Sequence, residues 1–305
     1  LIESFKTEKQ AIDFFFFLRW NGKVKCPFKE CKANEFEVEN NKIYKFQDGK
    51  RFKCSCCKKI FSFKTGTIFE NTKLTMKKWF LAIYLQTANK KGISSCQLAK
   101  HLGIHQSNAW FVLQRIRFLQ GNNKDFFDGT TEIDEVYLGG SDSNRHSKDK
   151  GKKEKMPVLG MVNRESGKAK AMSVETSKYQ ELGNRVLKNV KEGSTIITDE
   201  FAGYTTLRTF YNHETINHSK DEYVRYEKVN RKAFKMISTN GVEGMFSHIR
   251  RMINGTFHWI SLKHLDFYMN EFTFRWNSRK STDRERFLHF FNNVNSRLTY
   301  KRLVG

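Results

Sequence analysis

Apolar residues recur at helical spacing in Ala11, Ile12, Phe15, Phe16 and Leu18, and Trp20-Asn21-Gly22 then makes a turn, so residues 1–25 read as a short helical lead-in. Further on, Phe36 and Val38 alternate, Asn40-Asn41 turns, and Tyr44 and Phe46 alternate back, the pattern of a hairpin. Helical spacing returns between Thr75 and Asn89 in Trp79, Phe80, Ile83, Tyr84 and Ala88, and Lys90-Lys91-Gly92 ends it. Ser94 with Gln97 forms a capping box that opens a second helix through Leu98, Ala99 and Leu102, stopped by Gly103. A third helix runs from about Ser107 through Val112, Leu113, Ile116 and Leu119.

After Gly121-Asn122-Asn123-Lys124 the period changes. Thr131 to Gly140 is a β-branched and aromatic run with Glu132, Asp134 and Glu135 in its middle. Acids are depleted in strands, and a buried carboxylate without a partner is costly, so this strand wants a cation. Residues 141–156 follow as a basic loop whose Lys152 and Lys153 are placed to meet phosphates. Pro157–Val162 and Ala169–Val174 read as a hairpin around Glu165-Ser166-Gly167, and Lys178–Val190 as a helix. The short run Ser194–Thr198 ends in Asp199-Glu200. Between Asn240 and Ile253, Val242, Met245, Phe246, Ile249 and Met252 make one apolar stripe, while Asn240, Glu243, Ser247 and Arg250 make a polar one. Leu265, Tyr268, Met269, Phe272 and Trp276 mark a further amphipathic packing helix. Antiparallel strands first, then helix, strand and helices, is an α/β layout of the ribonuclease H kind.

Composition sharpens this picture. The 305 residues suffice for two or three domains, and 55 Lys+Arg against 32 Asp+Glu give a net charge of +23. Cationic excess over a whole chain favours a polyanion through counterion release. No apolar run reaches the roughly 18 residues of a membrane span, and no signal-peptide pattern is visible, so a cytoplasmic protein without a membrane partner is expected. Six cysteines then point to metal rather than disulfides. Cys26 and Cys31, followed after 22 residues by Cys54 and Cys57, have the spacing of a tetrahedral structural zinc site, with Cys56 as the rival of Cys57. Cys96 lies apart and reads as packing.

Two groups of residues carry the expected chemistry. A short helix, a tight turn and a longer basic helix make a helix-turn-helix, although a plain helical bundle has the same period. His105, Gln106, Ser107 and Asn108 suit base edges, and Arg115 and Arg117 suit phosphates. Asp134, Asp199 and Glu243 together can hold two Mg²⁺ about 3.5–4 Å apart, the arrangement for phosphoryl transfer. Glu135 and Glu200 are decoys by position, whereas Glu132 shares the face of Asp134 and stays open.

Thr131-Glu132-Ile133-Asp134-Glu135-Val136-Tyr137, Thr198-Asp199-Glu200 with Gly203-Tyr204, and Asn240-Gly241-Val242-Glu243-Gly244-Met245-Phe246-Ser247 resemble the acidic blocks of Merlin-type, ISXO-like insertion-sequence transposases. Lys64–Phe69, Lys263-His264-Leu265 and Asn270-Glu271-Phe272 extend the resemblance from about residue 5 to 280. It implies a DDE transposase that binds terminal inverted repeats, then cleaves and transfers strands with two Mg²⁺ or Mn²⁺. The implied parts are a zinc ribbon over residues 26–70, a helix-turn-helix over 71–122, a ribonuclease H-like catalytic domain over 128–280, and a C-terminal helix and tail over 281–305. Asp134, Asp199 and Glu243 match the catalytic acids, and Arg250 the basic residue that follows them. Relatives differ in whether Asn or Glu supplies the third ligand, so Asn240 stands beside Glu243, and four residues inside the first cysteine pair depart from the usual two. Double-stranded repeat and target DNA are the implied partners, with a homodimer or larger homo-oligomer at synapsis, in the bacterial nucleoid or, for a eukaryotic element, the nucleus. The rival readings are a DNA-binding regulator derived from a transposase and a ribonuclease H-like nuclease.

Overall fold

Thr7 starts the first helix, α1 (Glu8–Trp20), by a capping box: its hydroxyl accepts from the Gln10 amide, and the Gln10 side chain accepts from the Thr7 amide. Asn21, left-handed at φ 43°, ends it. The computed structural model describes residues 5–32, 42–121, 126–139, 155–176, 179–200, 202–228, 230 and 234–305. Its contacts divide the chain into two units, Leu1–Asn122 with Ser281–Gly305, and Asn123–Lys280.

In the first unit β1 (Ile43–Lys45), β2 (Arg51–Cys54) and β3 (Ile60–Ser62) form an antiparallel ribbon in that order. Phe52 and Phe61 stack across it at 5.7 Å. Most of the hairpin expected over residues 36–46 lies outside the described residues; the β1–β2 turn that is described holds Gly49 at φ 66°, a conformation glycine adopts without strain. Arg19 of α1 donates to the Phe63 and Thr65 carbonyls at 2.6 Å each, tying helix to ribbon.

Three helices follow, α2 (Met76–Ala88), α3 (Ser95–Leu102) and α4 (Gln106–Gln120). The Glu8 carboxylate accepts from the Met76 and Lys77 amides at 2.8 and 3.0 Å, so an acid of α1 satisfies the orphan donors that open α2. Ser94 caps α3 by accepting from the Gln97 amide at 3.2 Å, and Gly103 at φ 61° ends it.

The second unit is a mixed sheet of five strands between helices. β4 (Thr130–Leu138) pairs antiparallel with β5 (Met156–Asn163), and β5 with β6 (Ala169–Ser173). After α5 (Tyr179–Leu187), β7 (Thr195–Asp199) lies parallel to the other edge of β4, and β8 (Asn212–Ile216) parallel to β7. The sheet order is β6-β5-β4-β7-β8. A separate two-stranded ribbon, β9 (Arg225–Lys228) and β10 (Phe234–Ile237), precedes α6 (Asn240–Met252) and α7 (Leu265–Asn277).

Alternation along the strands builds a core on each face. Ile133, Leu159, Met161 and Ile196 meet Leu182 and Val186 of α5. Val136, Leu138, Val158 and Val162 meet the apolar stripes of α6 and α7. Helix α7 also shields the edge strand β6: Asp266, Thr273 and Asn277 side chains accept from the amides of Ser173, Ala171 and Ala169 at 2.7–3.3 Å.

The last residues return to the first unit as α8 (Asp283–Phe290) and α9 (Tyr300–Val304). Phe287 is fully buried, 5.6 Å from Phe80 and 5.1 Å from Phe291. The stretch expected as a C-terminal helix and tail opens on the helix α8, and Phe287, Phe290, Phe291, Val294 and Leu298 bury their side chains.

Candidate functional site

Glu132, Asp134 and Val136 take the α6 side of β4, because Ile133 takes the α5 side. Asp134 stands opposite Gly160 on β5. A Cβ at Gly160 would lie 2.4 Å from Met245 Cε and 2.6 Å from Phe246 Cε1, so the missing side chain is what lets α6 lie so close to the acid strand. On the other edge Glu132 opposes Ile197 in parallel register, and two residues further along each strand come Asp134 and Asp199. Asp199 is the last residue of β7. From β4 the sheet grows first toward β5 and later toward β7, so these carboxylates sit at a topological switch point, where open sheets form binding crevices.

Glu243 enters from the first turn of α6. Its carboxylate accepts from the Thr239 hydroxyl at 2.8 Å and lies 3.4 Å from His218 Nε2. Burial pushes the Asp134 carboxyl up to about 7; the Glu135 amide, donating to its Oδ1 at 2.8 Å, works against this, while the charges of Asp199, Glu135 and Glu243 add to it. The acids thus share one field, and their hard oxygens suit Mg²⁺ or Mn²⁺. Among the described residues the acids do not form a closed cage within 4.8 Å as the cysteines do. Asn240 is the exposed first residue of α6, and Arg250, also exposed, lies about 10 Å along the helix from Glu243.

The neighbouring acids have other work. Glu132 Oε1 accepts from Arg164 Nε at 2.7 Å, and Oε2 from the Gly241 and Val242 amides at 2.7 and 3.1 Å. It is the buried anion at the N-terminus of α6, with its oxygens filled. Glu135 points to the other face, where the Tyr204 hydroxyl donates to it, and burial raises its pKa. Burial and then the charge of Glu135 raise Tyr204 well above the ordinary tyrosine value, which keeps it a donor. Glu200 is exposed.

In the ribbon, Cys26, Cys31, Cys54 and Cys57 bring their sulfurs within 4.8 Å of one another. Cys26–Cys57 and Cys31–Cys54 are 3.7 and 3.8 Å apart. A zinc ion with bonds of about 2.3 Å needs a tetrahedron with edges of about 3.8 Å, so the thiols fit zinc. Cys56 is outside this group and exposed, as is Cys96, so the expected packing role of Cys96 fails.

Residues 126–277 match the ISXO2-like transposase domain, the span that contains all the acids above. The chain belongs to the ISXO2-like transposase family. A relative from Halobacterium salinarum, described as an uncharacterized protein in transposable element ISH50, is 26% identical over 238 residues, 73% of this chain and 78% of its own. A chain in a structure of the simian T-cell lymphotropic virus intasome with the PP2A regulatory subunit B56 gamma aligns at 13% identity and a TM-score of 0.29, over 59% of this chain and 64% of that one.

In this family member His105, Gln106, Ser107 and Asn108 are exposed at the start of α4. His105 makes no side-chain cap, and Gln106 donates to Ser95 Oγ at 2.6 Å, joining α4 to α3. Arg115 and Arg117 require correction as phosphate-binding residues: they are 8% and 1% exposed. Arg115 donates to the Ile68 and Glu70 carbonyls at 2.8 and 3.2 Å and lies over the Phe111 ring. Arg115 is an internal brace of the unit, and Arg117 is buried in it. Lys152 and Lys153 lie outside the described residues. Sequence reasoning overlooks Arg164, Thr239, His218 and the pairing of Tyr204 with Glu135. Only Tyr204 carries a sequence signal, from its place after Asp199 in the second acidic block.

Proposed function

We propose that this chain is the transposase of an insertion element, which binds the element's terminal inverted repeats and catalyses metal-dependent cleavage and strand transfer at their ends. The observation that carries the reading is the acid cluster: a half-buried Asp134 raised to about 7 beside Asp199 and Glu243, in a domain of the ISXO2-like transposase family. The description of the halobacterial relative as part of a transposable element supports it.

Asp134, Asp199 and Glu243 would hold divalent ions, which supply Lewis-acid polarisation of the scissile phosphate and an activated oxygen nucleophile. Asp134 gives up its carboxyl proton as a cation arrives, so cation affinity rises with pH through about 7. Glu132, clamped by Arg164, fixes the first turn of α6 and with it the backbone that carries Glu243. Arg250 meets DNA phosphate away from the acids, in keeping with its distance along the helix. The four cysteines hold structural zinc, and the exposed start of α4 is the helix-turn-helix surface that reads the repeat. Two inverted ends call for two copies of the chain.

The test uses full-length protein, labelled element-end DNA and Mg²⁺ or Mn²⁺. Asp134→Asn, Asp199→Asn and Glu243→Gln are each expected to abolish nicking and strand transfer and to leave repeat binding intact. Asn240→Ala is the control: loss of cleavage there, with Glu243→Gln still active, would give the third ligand to Asn240. Wild-type cutting by all three acid variants overturns the reading in favour of a DNA-binding regulator. Preference for RNA–DNA hybrids or branched substrates over duplex ends would make the chain a nuclease instead.

A further inference from the structure

The ribbon β9–β10, between β8 and the helix that bears Glu243, has its faces inverted. Tyr226 stands across from Met236 and Lys228 across from Phe234, so these four share a face. On that face Tyr226 is 65%, Phe234 64% and Met236 41% exposed. The other face holds the ions. Arg225 pairs with Glu214, Glu222 and Glu227 at 3.0–3.5 Å, and Lys235 with Glu214 at 2.8 Å, beside the buried Ile237. A sheet with one wet face ordinarily turns its aromatics inward and its ions outward. Here the apolar side is presented to a partner.

The chain entering the ribbon adjoins the acid cluster. Tyr223, 56% exposed, lies 5.6 Å from the His218 ring, whose Nε2 is 3.4 Å from Glu243. Arg164 fastens the far strand as well, donating to the Met236 carbonyl at 2.5 Å while its Nε holds Glu132, two residues before Asp134. An occupant of the ribbon therefore lies against the same framework that holds the acids.

We propose that the outer face of β9–β10 binds DNA beside the acid cluster, its aromatic rings stacking on bases that are unpaired there. Charge selects the partner. Lys228 shares the face, and Glu222 and Glu227 are taken up by Arg225 on the opposite side. A second copy docked face to face would set Lys228 against Lys228 on chains of net charge +23, whereas a polyanion is attracted. Ring stacking needs base faces, which a paired duplex hides in its own stack and an unpaired segment exposes. The proposal rests on the transposase reading for the source of the DNA, and not for the stacking.

Full-length protein is titrated without added Mg²⁺ or Mn²⁺, where no cleavage occurs and the structural zinc stays in place, with a matched duplex and with the same duplex carrying a short unpaired bubble that contains 2-aminopurine. The bubble is expected to bind about tenfold tighter, and the reporter fluorescence to fall as rings stack on it. Tyr226→Ala and Phe234→Ala should each weaken bubble binding by about 5- to 10-fold, removing most or all of the preference, and leave the matched duplex unchanged, while Tyr226→Phe and Phe234→Tyr keep the preference. Lys228→Gln should weaken both probes and lower the salt slope by about one. Alanine variants that bind both probes like wild type overturn the proposal, and so does self-association lost in those variants, which would make the face a contact between copies. Bubble preference without any metal-dependent cleavage strikes the transposase reading alone; cleavage without bubble preference strikes the ribbon proposal alone.

Discussion

Replacing Asp134 by Asn should stabilise the metal-free protein while removing its chemistry. Burial raises this carboxyl from its ordinary 3.8 to about 7, so the folded state holds its proton more tightly than the unfolded chain does. Below about pH 3 both states are protonated and the site costs nothing. Between about pH 4 and 7 the unfolded chain loses the proton first, stability falls, and above about 7 the whole cost is present. Three pK units correspond to about 4 kcal/mol, and solvent relaxation at a half-buried group leaves about 2–4 kcal/mol. Asn keeps the oxygen that accepts from the Glu135 amide and drops the charge. For a domain of this size the gain is about 5–15 °C in Tm at pH 8 without added divalent ions, shrinking to about a quarter of that near pH 4.5. Calorimetry at the two pH values reads it directly. Mg²⁺ should then raise the Tm of the wild type and leave Asp134→Asn unmoved, since only a ligand bound by the folded state stabilises it. Equal Tm values for the two proteins at pH 8, or a gain that survives undiminished at pH 4.5, would refute the electrostatic account.

Three other outcomes are expected. Metal analysis of purified protein should find zinc lost from Cys57→Ser and kept in Cys56→Ser, and the reverse result would assign the fourth thiolate to Cys56. Glu132→Gln leaves Arg164 without its buried partner and weakens the N-terminal anion of α6, so chemical denaturation should show a loss of about 3 kcal/mol; a loss under about 1 kcal/mol would mean the clamp holds nothing. Arg115→Gln should lower stability without changing the salt slope of DNA binding, whereas Asn108→Ala should relax sequence choice at constant stability; a salt slope reduced by one in Arg115→Gln would return that residue to the DNA surface.

Features written within a few neighbouring residues are legible in the amino-acid sequence. Ser94 and Gly103 begin and end a helix by local hydrogen bonds and backbone conformation, and the acids of β4 are conspicuous because a β-branched run surrounds them. Pairings across the fold are not. Alternation leaves Glu132 and Asp134 equivalent, and what separates them is Arg164, which returns on the β5–β6 turn, together with two amides of α6. Arg115 and Arg117 look like phosphate ligands on a basic helix; the Ile68 and Glu70 carbonyls that draw Arg115 inward belong to a segment with no local mark of that role. Tyr204 follows Asp199 closely in sequence, but its donation to Glu135 depends on β7 lying beside β4.

The return of the C-terminus changes what the chain order means. Phe287, Phe290, Phe291, Val294 and Leu298 are all buried, and Phe287 and Phe291 close on Phe80 of α2 at 5.6 and 5.5 Å. A fragment ending near residue 120 would expose this side of Phe80 and of Phe15, whose ring also meets Phe291. Burying aromatic rings of this size contributes about 1.5–3 kcal/mol each, so such a fragment lacks several of the contacts that hold its helices. The unit that bears the cysteine site and the exposed start of α4 is thus completed only by residues 281–305, synthesised after every residue of the acid-bearing unit. The second unit is an insertion within the first in sequence. A chain truncated before residue 281 keeps Asp134, Asp199 and Glu243 yet loses the core under its proposed DNA-reading helices.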